Sequence, residues 1–206
     1  LTDATTEHWT GKPNTMIGTA NIDGTDYIFM GVHNKPLPKM EQVSINVTAL
    51  STEYKFRAGG IEMTATFTTP LLPDDYYYFT RPVSYLKIGY SSLDGNDHKV
   101  SVKVMVSEEI CLDFRGFGSV ETQLIEQDGI STARIGNKVQ NVLGRDGDDI
   151  RIDWGYFYLS VKGGKVGAEE VPMAFRERER HGNSIFMTFV TAEKEIGCPK
   201  CGALFT

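Results

Sequence analysis

Val100, Val102, Val104 and Val106 fall on one side of an extended chain, with Ser101, Lys103 and Met105 on the other. Successive side chains of a strand point to opposite faces, so this alternation predicts a strand with one face buried. The same period recurs along most of the chain. Ile61, Met63, Ala65 and Phe67 alternate with Glu62, Thr64, Thr66 and Thr68, and Val43, Ile45, Val47 and Ala49 form a comparable stripe. Tyr85–Tyr90 precedes the valine run, and Asp94-Gly95-Asn96 supplies residues that tolerate positive φ between them, which predicts a hairpin. Asp23-Gly24 divides Met16–Ile22 from Tyr27–Met30, and Gly59-Gly60 follows a strand at Tyr54–Arg57. Further strands are expected at Val120–Glu126, Ser131–Ile135, Ile150–Val161 and Phe186–Thr191.

No stretch carries a sustained helical stripe. The best helix candidate is Ala174–His181, whose alternating arginines and glutamates read as a solvated face. Roughly ten to twelve short strands predict an all-β fold, a large antiparallel β-sandwich of the supersandwich kind with few or no helices. Residues 1–206 are expected to form one such domain, with a possible seam at residues 70–82. A start at Leu1 and an apolar end at Ala203–Phe205 lead to the expectation of a segment from a longer polypeptide.

A net charge of -6 argues against nucleic acid or an anionic membrane as partner. No apolar run reaches the ~18–20 residues of a membrane-spanning helix, and the first residues lack the basic head and apolar core of a signal peptide. Of the three cysteines, Cys111 lies between Ile110 and Leu112 and is expected to be a buried free thiol. Cys198 and Cys201 in CPKCG resemble half of a zinc knuckle, but only Cys111 and His8, His33, His98 and His181 remain to complete it. Neither a metal nor a cofactor is expected.

Two stretches could carry chemistry. Asn141–Ser160 packs six ionisable residues into Arg145–Asp153, too many to bury unpaired. Its acids do not follow the EF-hand spacing, and nothing local sets two of them at a glycosidase separation. The favoured reading is a loop in which Arg145 and Arg151 neutralise the aspartates, leading into a strand with Arg151 and Asp153 on one face. A ligand or domain contact through Asp148, Asp149, Arg151, Asp153 and Trp154 is the alternative. In the second stretch, Pro70–Pro82, Asp74 and Asp75 precede four aromatics, Tyr76–Phe79, and Arg81 follows. Tyr77 and Arg81 could belong to a sugar-binding or docking surface, although rings capping the sandwich edge are the simpler reading. Nucleophile elbows, phosphate loops and zinc-protease motifs do not occur. Asn46-Val47-Thr48 matches a glycosylation acceptor too short to carry weight.

Three co-linear passages resemble the amino-terminal region of the glutaminase A family of fungi and gut bacteria. They are HWTGKPNTMIGTANIDGTDYIFMG, AGGIEMTATFTTPLLPDD with TRPVSYLKIGYSSLDGNDHKVSV, and ARIGNKVQNVLGRDGDDIRIDWGYFYL. The resemblance covers most of Trp9–Val161 and thins after Lys162. It implies a non-catalytic β-sandwich that supports a carboxy-terminal all-helical catalytic domain of the α/α-toroid type. It also implies a periplasmic or extracellular parent that hydrolyses glutamine to glutamate and ammonia, or acts on a related amide or glycan. The resemblance assigns no catalytic residue to these passages. The competing expectations are a carbohydrate-binding accessory sandwich and, further off, an independent enzyme using Asp148, Asp149 or Asp153.

Overall fold

The computed structural model describes residues 1–114, 116–172, 186–196 and 203–205. Thirteen strands are described: β1 (Met16–Ile22), β2 (Thr25–Met30), β3 (Glu41–Val47), β4 (Ser51–Ala58), β5 (Ile61–Thr68), β6 (Tyr85–Ser92), β7 (Val100–Ser107), β8 (Val120–Gln127), β9 (Ile130–Asn137), β10 (Tyr156–Lys162), β11 (Lys165–Pro172), β12 (Phe186–Ile196) and β13 (Ala203–Phe205). Helical structure among the described residues is confined to α1 (Tyr76–Phe79) and one 3-10 turn, Glu108–Cys111. The expected helix Ala174–His181 and the Cys198/Cys201 pair lie outside the described residues.

The strands form two antiparallel sheets. One has five strands in the order β11-β12-β7-β1-β2, the other eight in the order β3-β4-β5-β6-β13-β10-β9-β8. The all-β sandwich is therefore as the alternation predicted. Val100, Val102, Val104 and Val106 face inward with Ala20, Ile22, Val190 and Ala192, against Phe56, Met63, Ala65, Ile88, Ile135 and Val161 of the larger sheet. Each large side chain buried here stabilises the fold by about 1.5–3 kcal/mol. Gly18 shows how closely the layer packs, because a Cβ there would sit 2.4 Å from the Phe29 ring. The bare glycine lets Phe29 reach within 5.8 Å of Phe56.

The outer face of the five-stranded sheet is not all wet. Met105, on the polar side of the valine run, joins Ile17, Ile28, Met187 and Phe189 in a second apolar cluster covered in part by Leu37. The chain after β2 is held there, where the Ile28 amide donates to the Pro38 carbonyl and the Met40 amide to the Ile28 carbonyl.

Two expectations need correcting. Val43, Ile45 and Val47 were expected to be half-buried, yet every residue of β3 is exposed. β3 is the edge of an eight-stranded sheet that faces only five strands, so its apolar stripe lies beyond the cover of the opposite layer. The strand expected over Ile150–Val161 begins only at Tyr156. Residues 70–82 connect β5 to β6, which pair with each other from Ile61↔Ser92 to Thr68↔Tyr85 within one sheet. Cys111 is buried, and loss of hydration pushes its thiol up to about 12.

The antiparallel pairing sorts the connections. Short turns at Asp23-Gly24, Gly59-Gly60, Asp128-Gly129 and Gly163-Gly164 lie at one end with the 93–99 connection, while the long connections 69–84, 108–119 and 138–155 lie at the other and 31–40 runs between the two ends. His98 ties the short-turn end together. Its Nδ1 is 2.6 Å from Asp23 Oδ2 and its Nε2 2.9 Å from Asp94 Oδ1, joining a turn of the five-stranded sheet to the connection between the sheets. The hydrogen bonds to Asp23 and then Asp94 raise the His98 pKa above its ordinary 6.5. Asp23 is lowered by His98 and the Lys99 amide, and Asp94 by the Asn96 amide and His98.

A raised histidine contributes stability in full below its ordinary value and loses it as pH rises through the folded value. The lowered carboxylates contribute above their ordinary 3.8 and lose it as pH falls through their folded values. The tie is complete only between these limits. The melting temperature should therefore fall on going from about pH 6 to about pH 9, and His98→Gln should remove that part of the slope. Parallel melting curves for the two proteins would refute the assignment.

Candidate functional site

Arg151 sets the geometry of the long-connection end. A guanidinium taken from water needs several acceptors, and this buried residue has them. Its Nε donates to the Asp113 carbonyl at 2.7 Å, and its Nη1 to the Pro13 carbonyl at 2.7 Å and Asn14 Oδ1 at 2.8 Å. Burial lowers the Arg151 pKa, opposed by the charges of Glu109 and Asp113, and a guanidinium stays protonated throughout.

Asp113 is the hub. Its Oδ1 accepts from Lys12 Nζ at 2.8 Å and from the Arg151 amide at 2.9 Å, and its Oδ2 accepts from Arg145 Nη1 at 2.9 Å. Burial alone would raise this carboxyl, but the hydrogen bonds from Lys12, Arg151 and Arg145 outweigh it and hold the pKa at about 2. Arg145 is raised, chiefly by its bond to Asp113. It also reaches Asp153 Oδ2 at 3.1 Å and lies 4.1 Å over the Phe117 ring. Lys12 donates in addition to the Asp149 carbonyl. Glu109 completes the join, since its Oε2 accepts from the Thr15 amide, Thr15 Oγ1 and Ser107 Oγ. Three loops far apart in sequence, 6–14, 108–117 and 138–155, are thus held as one body.

The ion-paired loop expected at Arg145–Asp153 is present with different partners. Arg151 does not pair with Asp153, because residues 151–155 are not a strand and the two side chains need not share a face. Asp153 pairs with Arg145 instead. Asp148 and Asp149 are exposed, Asp149 being engaged through its main chain, and Trp154 is half-buried. Gln140 supports the turn into β10, where its Oε1 accepts from the Gly155 amide at 2.6 Å. Lys12, Asn14, Glu109 and Asp113 went unread in the sequence. Asp113 left one trace, a lone carboxylate between Leu112 and Phe114, but nothing local named its partners.

Tyr77 and Arg81 form a separate group. Asp75 caps the single turn α1, its Oδ1 accepting from the amides of Tyr77 and Tyr78. All four aromatics Tyr76–Phe79 are exposed rather than packed on the sandwich edge. The Arg81 guanidinium lies 5.0 Å from the Tyr77 ring centre and 5.5 Å from that of Tyr78. Among the described residues no hydrogen bond, ion pair or ring contact links this group to Asp148–Trp154. No described cluster of three or more His, Cys, Asp or Glu side chains is arranged for a metal. A polar depression of about 230 Å³ on the outer face of the five-stranded sheet is lined by Asn21, Asp26, His33, Lys35 and Lys103, among others. It is smaller than the ~300–1,000 Å³ usual for ligand sites, and Lys103 is already paired with Glu169 at 2.7 Å.

A family profile described as a domain of unknown function, DUF5127, matches residues 50–191. The chain is also 25% identical over 154 residues to Glutaminase A of Aspergillus oryzae, covering 74% of this chain and 22% of that protein. The chain thus spans about a fifth of the length of this curated relative.

Asp113→Ala would remove the buried carboxylate that Lys12, Arg145 and the Arg151 amide share, leaving three donors of the hub short of an acceptor. A loss of about 3–5 kcal/mol in urea unfolding is expected. Asp148→Ala and Asp149→Ala, at exposed positions, should stay within about 0.5 kcal/mol of the parent.

Proposed function

The chain belongs to the DUF5127 family, and we propose that it is the non-catalytic amino-terminal β-sandwich of a glutaminase A-like hydrolase. The whole protein converts glutamine to glutamate and ammonia outside the cytoplasm, in the periplasm or the extracellular space. Its chemistry resides in a helical domain carried by the same polypeptide. The observation that carries this reading is the co-linear match to Glutaminase A, which occupies 74% of this chain and only 22% of that protein.

The charge-dense segment supports a structural role. Asp113 is held at about 2 by three donors and is a poor proton donor at neutral pH, and Asp153 is committed to Arg145. Function in this reading means support for a neighbouring domain. The full-length polypeptide should release ammonia from glutamine, and the 206-residue chain alone should give no turnover. Turnover by the isolated chain would overturn the assignment.

A glycan-binding accessory domain is the second reading, favoured by the exposed rings of Tyr76–Phe79 beside Arg81. A sugar face stacks well on an exposed tyrosine ring. On that reading Tyr77→Ala abolishes retention on a glycan array; unchanged or absent retention removes it.

A further inference from the structure

Exposed large apolar side chains are not spread evenly over the sandwich. At the short-turn end the described ones are Leu93 and Ile130. The long-connection end carries a larger set, on the loops around the Asp113 hub. Trp9 is 78% exposed, Leu143 81% and Ile152 65%, with Phe114, Val139 and Val142 also exposed. Each belongs to a loop that the hub binds. Trp9 shares its loop with Lys12, Phe114 follows Asp113, Leu143 is two residues before Arg145, and Ile152 follows Arg151. A buried charge network thus holds rigid a loop set whose apolar side chains point to water. Rigidity of this kind lowers the entropic cost of association.

Leu143 adds an independent observation. It is a non-glycine residue at φ +53°, a conformation disfavoured for a branched side chain. With its side chain outside the fold, no packing within this chain offsets that strain. Strain of this sort persists at contact and binding positions.

The charge of the face narrows the partner. The charges of Lys12, Arg145 and Arg151 are engaged by Asp113, Asp153 and main-chain acceptors. Asp146, Asp148 and Asp149 are exposed and carry no ion pair among the described residues. The 138–155 loop therefore presents apolar side chains beside three exposed aspartates, with Lys138 at its start as the exposed cation. We propose that this end of the sandwich docks a second domain of the same polypeptide, one presenting an apolar socket edged by lysine or arginine. The proposal deepens the reading of the chain as a supporting domain and rests on it. The match to 22% of Glutaminase A supplies the companion mass in the same chain.

The test uses the full-length polypeptide with Leu143→Asp and Ile152→Asp combined, and Leu93→Asp at the opposite end as control. Calorimetry should turn one cooperative transition into two for the double variant, and limited proteolysis should release separate fragments about tenfold faster. Leu93→Asp should behave as the parent. Leu143→Gly, which relieves the positive φ while removing the side chain, should also loosen the contact, so a folding defect cannot account for the result. A double variant that melts and cleaves like the parent overturns the proposal. So does one that only passes from dimer to monomer in sedimentation, which would make a second copy the occupant. Glutamine turnover by the parent with an unaffected double variant would sink the docking face alone. A split transition in a parent without turnover would sink the hydrolase reading alone.

Discussion

Arg151 can be buried only because Asp113, Pro13 and Asn14 are brought to it, and the architecture of the long-connection end follows from that requirement. An unpaired guanidinium in that position would be costly enough to open the site. Its acceptors come from the amino-terminal loop and from the segment after β7, so satisfying one side chain joins parts of the chain more than a hundred residues apart. Lys12 and Arg145 then share the same carboxylate. Hydrophobic burial between the sheets stabilises the sandwich, whereas the charge hub decides where the loops at one end lie. The low pKa of Asp113 records the same fact electrostatically.

The two ends of the molecule consequently differ in character. Glycine turns close one end with little surface and few apolar side chains. His98 is the main polar tie there, and it depends on pH in a way that the Asp113 hub does not near neutrality. The other end is built from long segments whose order comes from ion pairs and whose surface is apolar. A supporting domain needs one face of the second kind, and the rest of its surface can remain indifferent.

How far the sequence revealed this follows from what each signal measures. Alternation reports that a strand has two unlike faces, which made β1, β5, β6, β7 and β9 legible along with the glycine turns between them. It does not report whether an opposing layer extends far enough to cover the apolar face. Val43, Ile45 and Val47 therefore alternate like core residues and remain exposed at the edge. Charge density correctly marked Arg145–Asp153 as a paired loop. The partners Asp113, Lys12 and Asn14 are distant in sequence and contribute one residue each, so no local pattern contains them. Ile150–Asp153 alternates like a strand, but the buried Arg151 takes acceptors that hold those residues in a loop.

The position of β1 has a consequence for how the chain is made. β1 sits between β2 and β7, pairing Met16 with Val106 and Ile22 with Val100. β7 in turn takes β12 as its other neighbour, from Ser107↔Phe189 to Val100↔Ile196. The β1–β2 hairpin therefore waits with the β7 side of β1 unpaired until β3 to β6, half of the eight-stranded sheet, have been synthesised. Pairings so distant in sequence close slowly, and an open strand edge is a template for the wrong partner during that wait. The polar Asn21 and Thr19 on the outer side of β1 are the features of that edge that favour water over a neighbouring chain.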